Sequence, residues 1–217
     1  MRKPQEIGAI QAVVVDFGEV LSLAPSEAEF ARMAAAFGVA PVDFRTHYFP
    51  PREAYDRGDC TVEDYWSAVA ESARTSLSPA TLAQVRAWDI EMWSRMNPAI
   101  LKWLEELRVA GFATGLLSNM PSELGDHFRR HLGWLSAFDQ ITFSHEIRCA
   151  KPEAAAFRHC LQGLQVAPEA ALFVDDREAN VQGARAVGMV AIRFESLSDF
   201  AKELVALGFP LLPKRAP

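Results

Sequence analysis

Four short stretches set acids, a hydroxyl, an amide and a lysine where the strands of a parallel sheet would end or just before a helix. The first is Val13-Val14-Val15-Asp16-Phe17-Gly18-Glu19-Val20-Leu21, an apolar β-branched run that stops at an acid, with a glycine two residues on. The run reads as a strand buried on both faces. The second, Leu116-Leu117-Ser118-Asn119, stops at a hydroxyl and an amide. The third, Lys151-Pro152-Glu153, opens a helix that carries Phe157. The fourth, Phe173-Val174-Asp175-Asp176, ends in paired acids, with Asn180, Ala184 and Gly188 following. Open α/β sheets bind ligands beyond the carboxyl ends of their strands, so these groups are expected to converge on one edge.

Asp16 with Asp175 and Asp176 would bring three carboxylates together. Like charges at that range raise one another's pKa. A hard divalent cation removes the conflict: Mg²⁺ takes a few carboxylate or carbonyl oxygens and keeps waters or phosphate oxygens for the rest. Lys151 would face a phosphate, and the Ser118 hydroxyl with nearby backbone N–H groups would hold phosphate oxygens. That is the equipment of phosphoryl transfer, in which a carboxylate can be the nucleophile through an aspartyl-phosphate. The bland alternative for Asp16 alone is an acid capping a turn after a strand.

The elements that must position these groups alternate. Strands are expected over 11–16, 112–117, 140–143, 171–174 and 189–194, with helices between them and a last helix over 198–207. Such alternation implies a parallel sheet with helices on both faces. From Pro25 to Met96 the chain shows only helices. Ser26 with Glu29 and Thr61 with Asp64 are capping boxes, and Ser78-Pro79 and Asn97-Pro98 are helix starts. This stretch is too long for a loop and reads as a helical insertion. The expected fold is α/β: a Rossmann-like three-layer α/β/α core over 1–24 and 97–217, with an all-helical cap over 25–96. The tail from Pro210 to Pro217 is expected to fray.

The chain has 217 residues and a net charge of −6, with no dense Lys/Arg tract. That argues against nonspecific nucleic-acid binding. No apolar run is long enough to span a membrane, and Glu6 and Asp16 interrupt the resemblance of Met1-Arg2-Lys3 to a signal peptide. Cys60, Cys149 and Cys160 form an odd set without a CxxC pair, which suits a reducing cytoplasm.

Taken in order, the four stretches resemble the four motifs of the haloacid dehalogenase superfamily, and the helical insertion falls where that superfamily often carries a cap. The resemblance implies Asp16 as nucleophile, Ser118 and Lys151 binding the attacked phosphate, and Asn119 near the substrate. It implies Mg²⁺ held by Asp16, the Gly18 carbonyl and Asp176, with Asp175 a further ligand or a partner behind the ligands. Phosphatases of the superfamily usually carry a second Asp two residues after the nucleophile, which protonates the leaving group. Here that position is Gly18. The Asp-x-Gly-x-Val-Leu form resembles a capped subgroup that includes sugar-phosphate phosphatases and the phosphatase-like domain of epoxide hydrolases. Glu19 is one candidate for the missing acid. Arg148 stands where many relatives have Gly and is expected to cap a turn.

Other residues carry plainer readings. Asn180 is expected to bond a loop backbone. His127 and His131 read as a solvated helix face, and Trp66, Trp88, Trp93 and Trp103 as packing. The Asp56-Arg57-Gly58-Asp59 turn is either an ordinary helix–helix turn or the cap loop that reads substrate through Arg57. The expectation is a cytoplasmic Mg²⁺-dependent phosphatase, monomer or homodimer, acting on a small phosphorylated metabolite. A metal-independent 2-haloacid dehalogenase and a weakened binding scaffold are the rivals.

Overall fold

The computed structural model describes residues 10–131 and 133–214. Among these, β1 (Ala12–Val15), β2 (Ala113–Ser118), β3 (Gln140–Phe143), β4 (Ala171–Asp175) and β5 (Val190–Arg193) form one five-stranded sheet in the order β3-β2-β1-β4-β5. Every pairing is parallel. The four residues of β1 are all buried, because the strand is central and covered on both faces.

Alternate side chains of β1 enter two different cores, as the pleat requires. Val13 and Val15 pack with α6 (Pro98–Val109), α7 (Ser122–His131) and α11 (Leu197–Ala206), through Trp103, Leu104, Phe128 and Phe200. Ala12 and Val14 pack with α9 (Ala154–Leu164) and α10 (Glu178–Ala186), through Phe157, Leu161 and Val181. A short helix, α8 (Ser144–Ile147), follows β3 directly. The result is the expected three-layer α/β/α core. Strand ends differ from the sequence expectation by a residue or so, since ladder pairing rather than hydropathy sets them.

The segment after β1 holds α1 (Glu27–Phe37), α2 (Pro41–Tyr48), α3 (Arg52–Asp56), α4 (Val62–Ser72) and α5 (Pro79–Trp93). Both expected capping boxes are present, at Ser26/Glu29 and Thr61/Asp64. Ser78 and Asn97 are N-caps with a proline following. This helical block has its own aromatic core, built on Phe30, Phe37, Phe44, Tyr48 and Trp66. Its two ends leave the sheet side by side. An antiparallel bridge joins Ser22 to Met96, and the Leu23 N–H donates to the Arg95 carbonyl at 2.7 Å.

Residues 210–214 adopt neither helix nor strand, and 215–217, like the leader-like Met1-Arg2-Lys3 and Glu6, lie outside the described residues. Among the described residues no helix is long and apolar enough to cross a membrane.

Candidate active site

A cavity of about 860 Å³ lies between the carboxyl edge of the sheet and the wall formed by α2, α3 and the end of α5. Strand order puts β1 between β2 and β4, so Asp16 stands between Ser118 and Asp175. The Asp16 N–H donates to the Val174 carbonyl at 2.8 Å, which continues the ladder one residue past the strand. Asp16 Oδ1 accepts the Phe17 N–H at 2.6 Å and lies 2.6 Å from Lys151 Nζ. Lys151 Nζ also donates to Asp175 Oδ2 at 2.7 Å.

Lys151 reaches the site from a loop, and neighbours fix that loop on two sides. Asn119 Oδ1 accepts the Lys151 N–H at 2.8 Å, and Asn119 Nδ2 donates to the Lys151 carbonyl at 2.9 Å. On the other side α10 packs directly on Pro152: a Cβ added to Gly183 would lie 2.7 Å from the Pro152 carbonyl oxygen. Asn119 lines the cavity, and its amide is engaged by the Lys151 backbone.

Asp175 is fully buried and its oxygens are well supplied. Oδ1 accepts from the Arg177 N–H and from Asn180 Nδ2, both at 2.9 Å, and Oδ2 accepts from Lys151 and from Asn180 Nδ2 at 3.1 Å. Asn180 thus bonds a carboxylate rather than the loop backbone expected from sequence. Its place on the first turn of α10 lets it reach back to the strand end.

Ligand atoms of Asp16, Asp175 and Asp176 lie within 4.8 Å of one another. Burial, with the charges of Asp175 and Asp176, pushes the Asp16 carboxyl up to about 8 against the pull of Lys151. Burial, with the charges of Asp175 and Glu19, pushes Asp176 up to about 6. Burial opposes a charged Lys151, but Asp16 and Asp175 outweigh it and hold the ammonium protonated. One ammonium against three carboxylates leaves the site with an excess of negative charge and oxygen donors. That donor set fits a hard divalent cation. The lone pairs of Asp175 are engaged, whereas among the described residues Asp16 Oδ2 accepts no hydrogen bond and the Asp176 carboxylate accepts none from another residue.

The remaining expected residues divide. Ser118 and Gly18 line the cavity, and the Ser118 hydroxyl has no partner among the described residues. Glu19 lines it too, exposed, with a left-handed backbone (φ 57°). Arg57 lines the cavity, but its guanidinium is paired with Glu153 and with Asp59 at 3.2 Å. Trp66 and Trp103 are buried packing residues. Trp93 packs against both the sheet core and the helical block's core, and it also forms part of the cavity wall and donates Nε1 to Tyr48 Oη at 2.9 Å. His127 and His131 stack on each other at 4.5 Å and belong to no metal-competent group among the described residues. Arg148 ends α8 in a left-handed conformation, as expected of a turn cap, and pairs with Asp59 at 3.1 Å.

Sequence reasoning missed most of the far wall. Arg45, Phe49 and Arg52 line the cavity, Asp56 joins them from the turn singled out in the sequence, and Arg177 lines it from the core side. No motif marks the first three, since helical spacing in α2 and α3 reports their own core and not what the block faces.

The family model for haloacid dehalogenase-like hydrolases matches residues 10–188. Rat bifunctional epoxide hydrolase 2 is 26% identical over 229 residues, 96% of this chain and 41% of that protein. The glyceraldehyde 3-phosphate phosphatase of Methanopyrus kandleri is 33% identical over 98 residues, 44% of this chain and 42% of that one. The (S)-2-haloacid dehalogenase 1 of a Pseudomonas species is 29% identical over 140 residues, 62% of either chain. The chain thus spans less than two thirds of each of these relatives. A HAD family enzyme of Bacteroides thetaiotaomicron shares the fold with a TM-score of 0.72 at 20% identity, covering 90% of this chain and 98% of that one. That enzyme has also been solved with magnesium and inorganic phosphate, at a TM-score of 0.67 and 19% identity, over 85% of this chain and 93% of that one.

Proposed function

Because the chain belongs to the haloacid dehalogenase-like hydrolases, we propose that it is a Mg²⁺-dependent phosphatase acting on a small phosphorylated metabolite. The observation that carries this reading is the cluster of Asp16, Asp175 and Asp176, one ligand atom of each within 4.8 Å of the others, with the buried Lys151 ammonium against two of them. Asp16, the Gly18 carbonyl and Asp176 would hold the cation, and Asp175 serves Lys151 and the α10 loop instead. When bound, Mg²⁺ neutralises phosphate oxygens and the clustered carboxylates.

The chain's own residues do the rest. The Asp16 carboxylate attacks phosphorus, the alcohol leaves, and water hydrolyses the aspartyl-phosphate. Lys151 and the Ser118 hydroxyl hold phosphate oxygens. Asn119 and Asp175 keep Lys151 in place from its backbone and from its ammonium. Residues 25–96 act as a cap that closes the cavity, excludes bulk water and selects the substrate, with Arg57 on the cap loop. Three free cysteines support a cytoplasmic setting, and the protein works as a monomer or homodimer.

The Pseudomonas relative supports a second reading, in which Asp16 attacks carbon and displaces halide. The acidic cluster weighs against it, since such a reaction gains nothing from three gathered carboxylates. The test is hydrolysis of p-nitrophenyl phosphate with and without Mg²⁺, wild type beside Asp16→Asn. Mg²⁺-dependent turnover that the variant lacks is the expected result. Metal-independent halide release from a 2-haloacid, with no phosphate hydrolysis, would replace the phosphatase reading.

A further inference from the structure

Gly18 leaves the proposed reaction without its usual proton donor, and the structure shows what stands near that position. A Cβ added to Gly18 would lie 3.6 Å from Trp93 Cζ3, so the Trp93 ring closes that side of the loop. Trp93 begins a partly buried chain of polar contacts. Its Nε1 donates to Tyr48 Oη at 2.9 Å, and Arg52 Nη1 donates to the same oxygen at 2.9 Å. Arg52 Nε donates to Asp56 Oδ1 at 3.0 Å. The chain ends at a carboxylate on the cavity wall.

We propose that Asp56, supplied by the helical block, is the general acid that protonates the leaving group and the general base that then activates water. The inference rests on the phosphatase reading and supplies the group that reading lacks.

The stereochemistry of phosphoryl transfer gives the first argument. In-line displacement puts the leaving oxygen on the side of phosphorus opposite the attacking carboxylate. Asp16 stands on the sheet edge, so the leaving oxygen faces the α2–α3 wall, where Asp56 is. The placement of Asp56 gives the second. Oδ1 is held by Arg52, while Oδ2 has no partner among the described residues. Its backbone carbonyl accepts from the Ser144 hydroxyl, which itself accepts the Met120 N–H at 2.9 Å, so the residue is fixed to the core beside Asn119. The other cavity carboxylates are placed less well. Glu153 is engaged by Arg57 and the Ala150 N–H, Glu53 is exposed, and Glu19 lies on the nucleophile's own loop beside Asp176. Burial pushes Asp56 up to about 6, Arg52 and Arg177 opposing and Asp89 reinforcing the shift. That range suits a group that must both give and take a proton.

The step balances. Asp16 forms a bond to phosphorus as the bond from phosphorus to the substrate oxygen breaks. The departing electron pair takes the proton of Asp56, which gives an alcohol, the aspartyl-phosphate and an Asp56 carboxylate. Water then attacks phosphorus and its proton returns to Asp56. The electron pair of the broken bond restores the Asp16 carboxylate, and phosphate is released.

The test uses the full chain with Mg²⁺ and a series of substituted phenyl phosphates. Their shapes are alike, and their leaving-group pKa runs from about 7 to about 10, the ordinary phenol value. Asp56→Asn is the variant, because the Asn oxygen can still accept from Arg52. The wild type should show kcat/KM nearly independent of leaving group. In the variant the rate should fall steeply toward poor leaving groups, widening the ratio between the ends of the series by about 30-fold. Asp56→Glu should restore part of the shallow dependence. Equal losses across the series in Asp56→Asn would make the residue structural and overturn the assignment. A steep dependence in the wild type would overturn it without any variant, and a steepened dependence in Glu19→Gln alone would transfer the role. A wild type that hydrolyses none of the series removes the phosphatase reading itself, a result distinct from the others.

Discussion

Replacing Lys151 by Met tests the electrostatics of the site without reference to turnover. The Lys151 side chain is fully buried, 2.6 Å from Asp16 and 2.7 Å from Asp175, and Met fills a similar volume. Removing the ammonium leaves buried carboxylates with no opposing ammonium. Breaking a buried pair in this way costs about 3–5 kcal/mol. The loss has a natural ceiling, since a stranded carboxylate can take up a proton instead. For a carboxyl with the ordinary Asp value of 3.8, protonation at pH 7 costs about 4 kcal/mol. The two routes give the same magnitude, which is a large part of the ~5–15 kcal/mol that holds a typical domain folded. At roughly 2–4 °C per kcal/mol, the midpoint should drop by about 6–20 °C. The sign with pH follows from the carboxylates that lose the ammonium: below the ordinary Asp value of 3.8 they are protonated folded or unfolded and the loss vanishes, and it grows as pH rises above that value. The variant should therefore approach the wild type near pH 4 and fall furthest behind above neutrality. Thermal and urea melts in EDTA at pH 4, 7 and 8.5 read this directly. A difference below about 1 kcal/mol at pH 7 would refute the reasoning, because Lys151 would then not be neutralising buried charge.

The other expectations concern the loop and the cation. Gly183→Ala places a methyl 2.7 Å from the Pro152 carbonyl oxygen and 3.0 Å from Phe157 Cε2. Such overpacking should cost about 1–3 kcal/mol and shift Lys151, lowering phosphatase kcat more than Thr61→Ala, which removes a remote cap for about 1 kcal/mol. Equal kcat in the two variants would show that α10 does not set the Lys151 loop. Adding Mg²⁺ at about 100 times its dissociation constant should stabilise the wild type by about 2.7 kcal/mol in a thermal melt, and Asp176→Asn should lose most of that gain. An unchanged gain in the variant would take Asp176 out of the ligand set.

Much of the core was legible because its signals are local. β-branched runs that stop at an acid or a hydroxyl marked β1, β2 and β4 to within a residue or so. The Ser26/Glu29 and Thr61/Asp64 capping boxes lie within single turns, and both form as their spacing dictates. The convergence of Asp16, Ser118, Lys151 and the paired acids follows from parallel order. The partners of Asn119 and Asn180 did not follow from spacing. An amide can serve backbone, carboxylate or ligand, and only the approach of the Lys151 loop and of α10 decides among them. The helical block was legible as helices and not as a wall. Tyr48 meets Asp89 across 41 positions and Trp93 across 45, so their contacts depend on helix docking rather than on any short pattern.

Trp93 explains why that wall and the nucleophile loop belong to one system. The block leaves the sheet at Ser22 and returns at Met96, and these two residues are bridged. The end of α5 is therefore held within a few residues of the loop that follows Asp16, and the Trp93 ring settles against Gly18. A side chain at position 18 would stand in ordinary contact with that ring. With Gly there, the indole ties the loop to Tyr48, Arg52 and Asp56. Tyr48 and Asp89 sit together at the centre of this chain, buried, with Arg52 donating to both. A buried network of this kind holds its geometry only when each polar group is satisfied. The position of Asp56 over the cavity is then set by the same contacts that hold α2, α3 and α5 together. On this argument the missing acid and the aromatic wall are two sides of one arrangement: the loop gives up a carboxylate, and the block that covers it brings one back from the opposite direction.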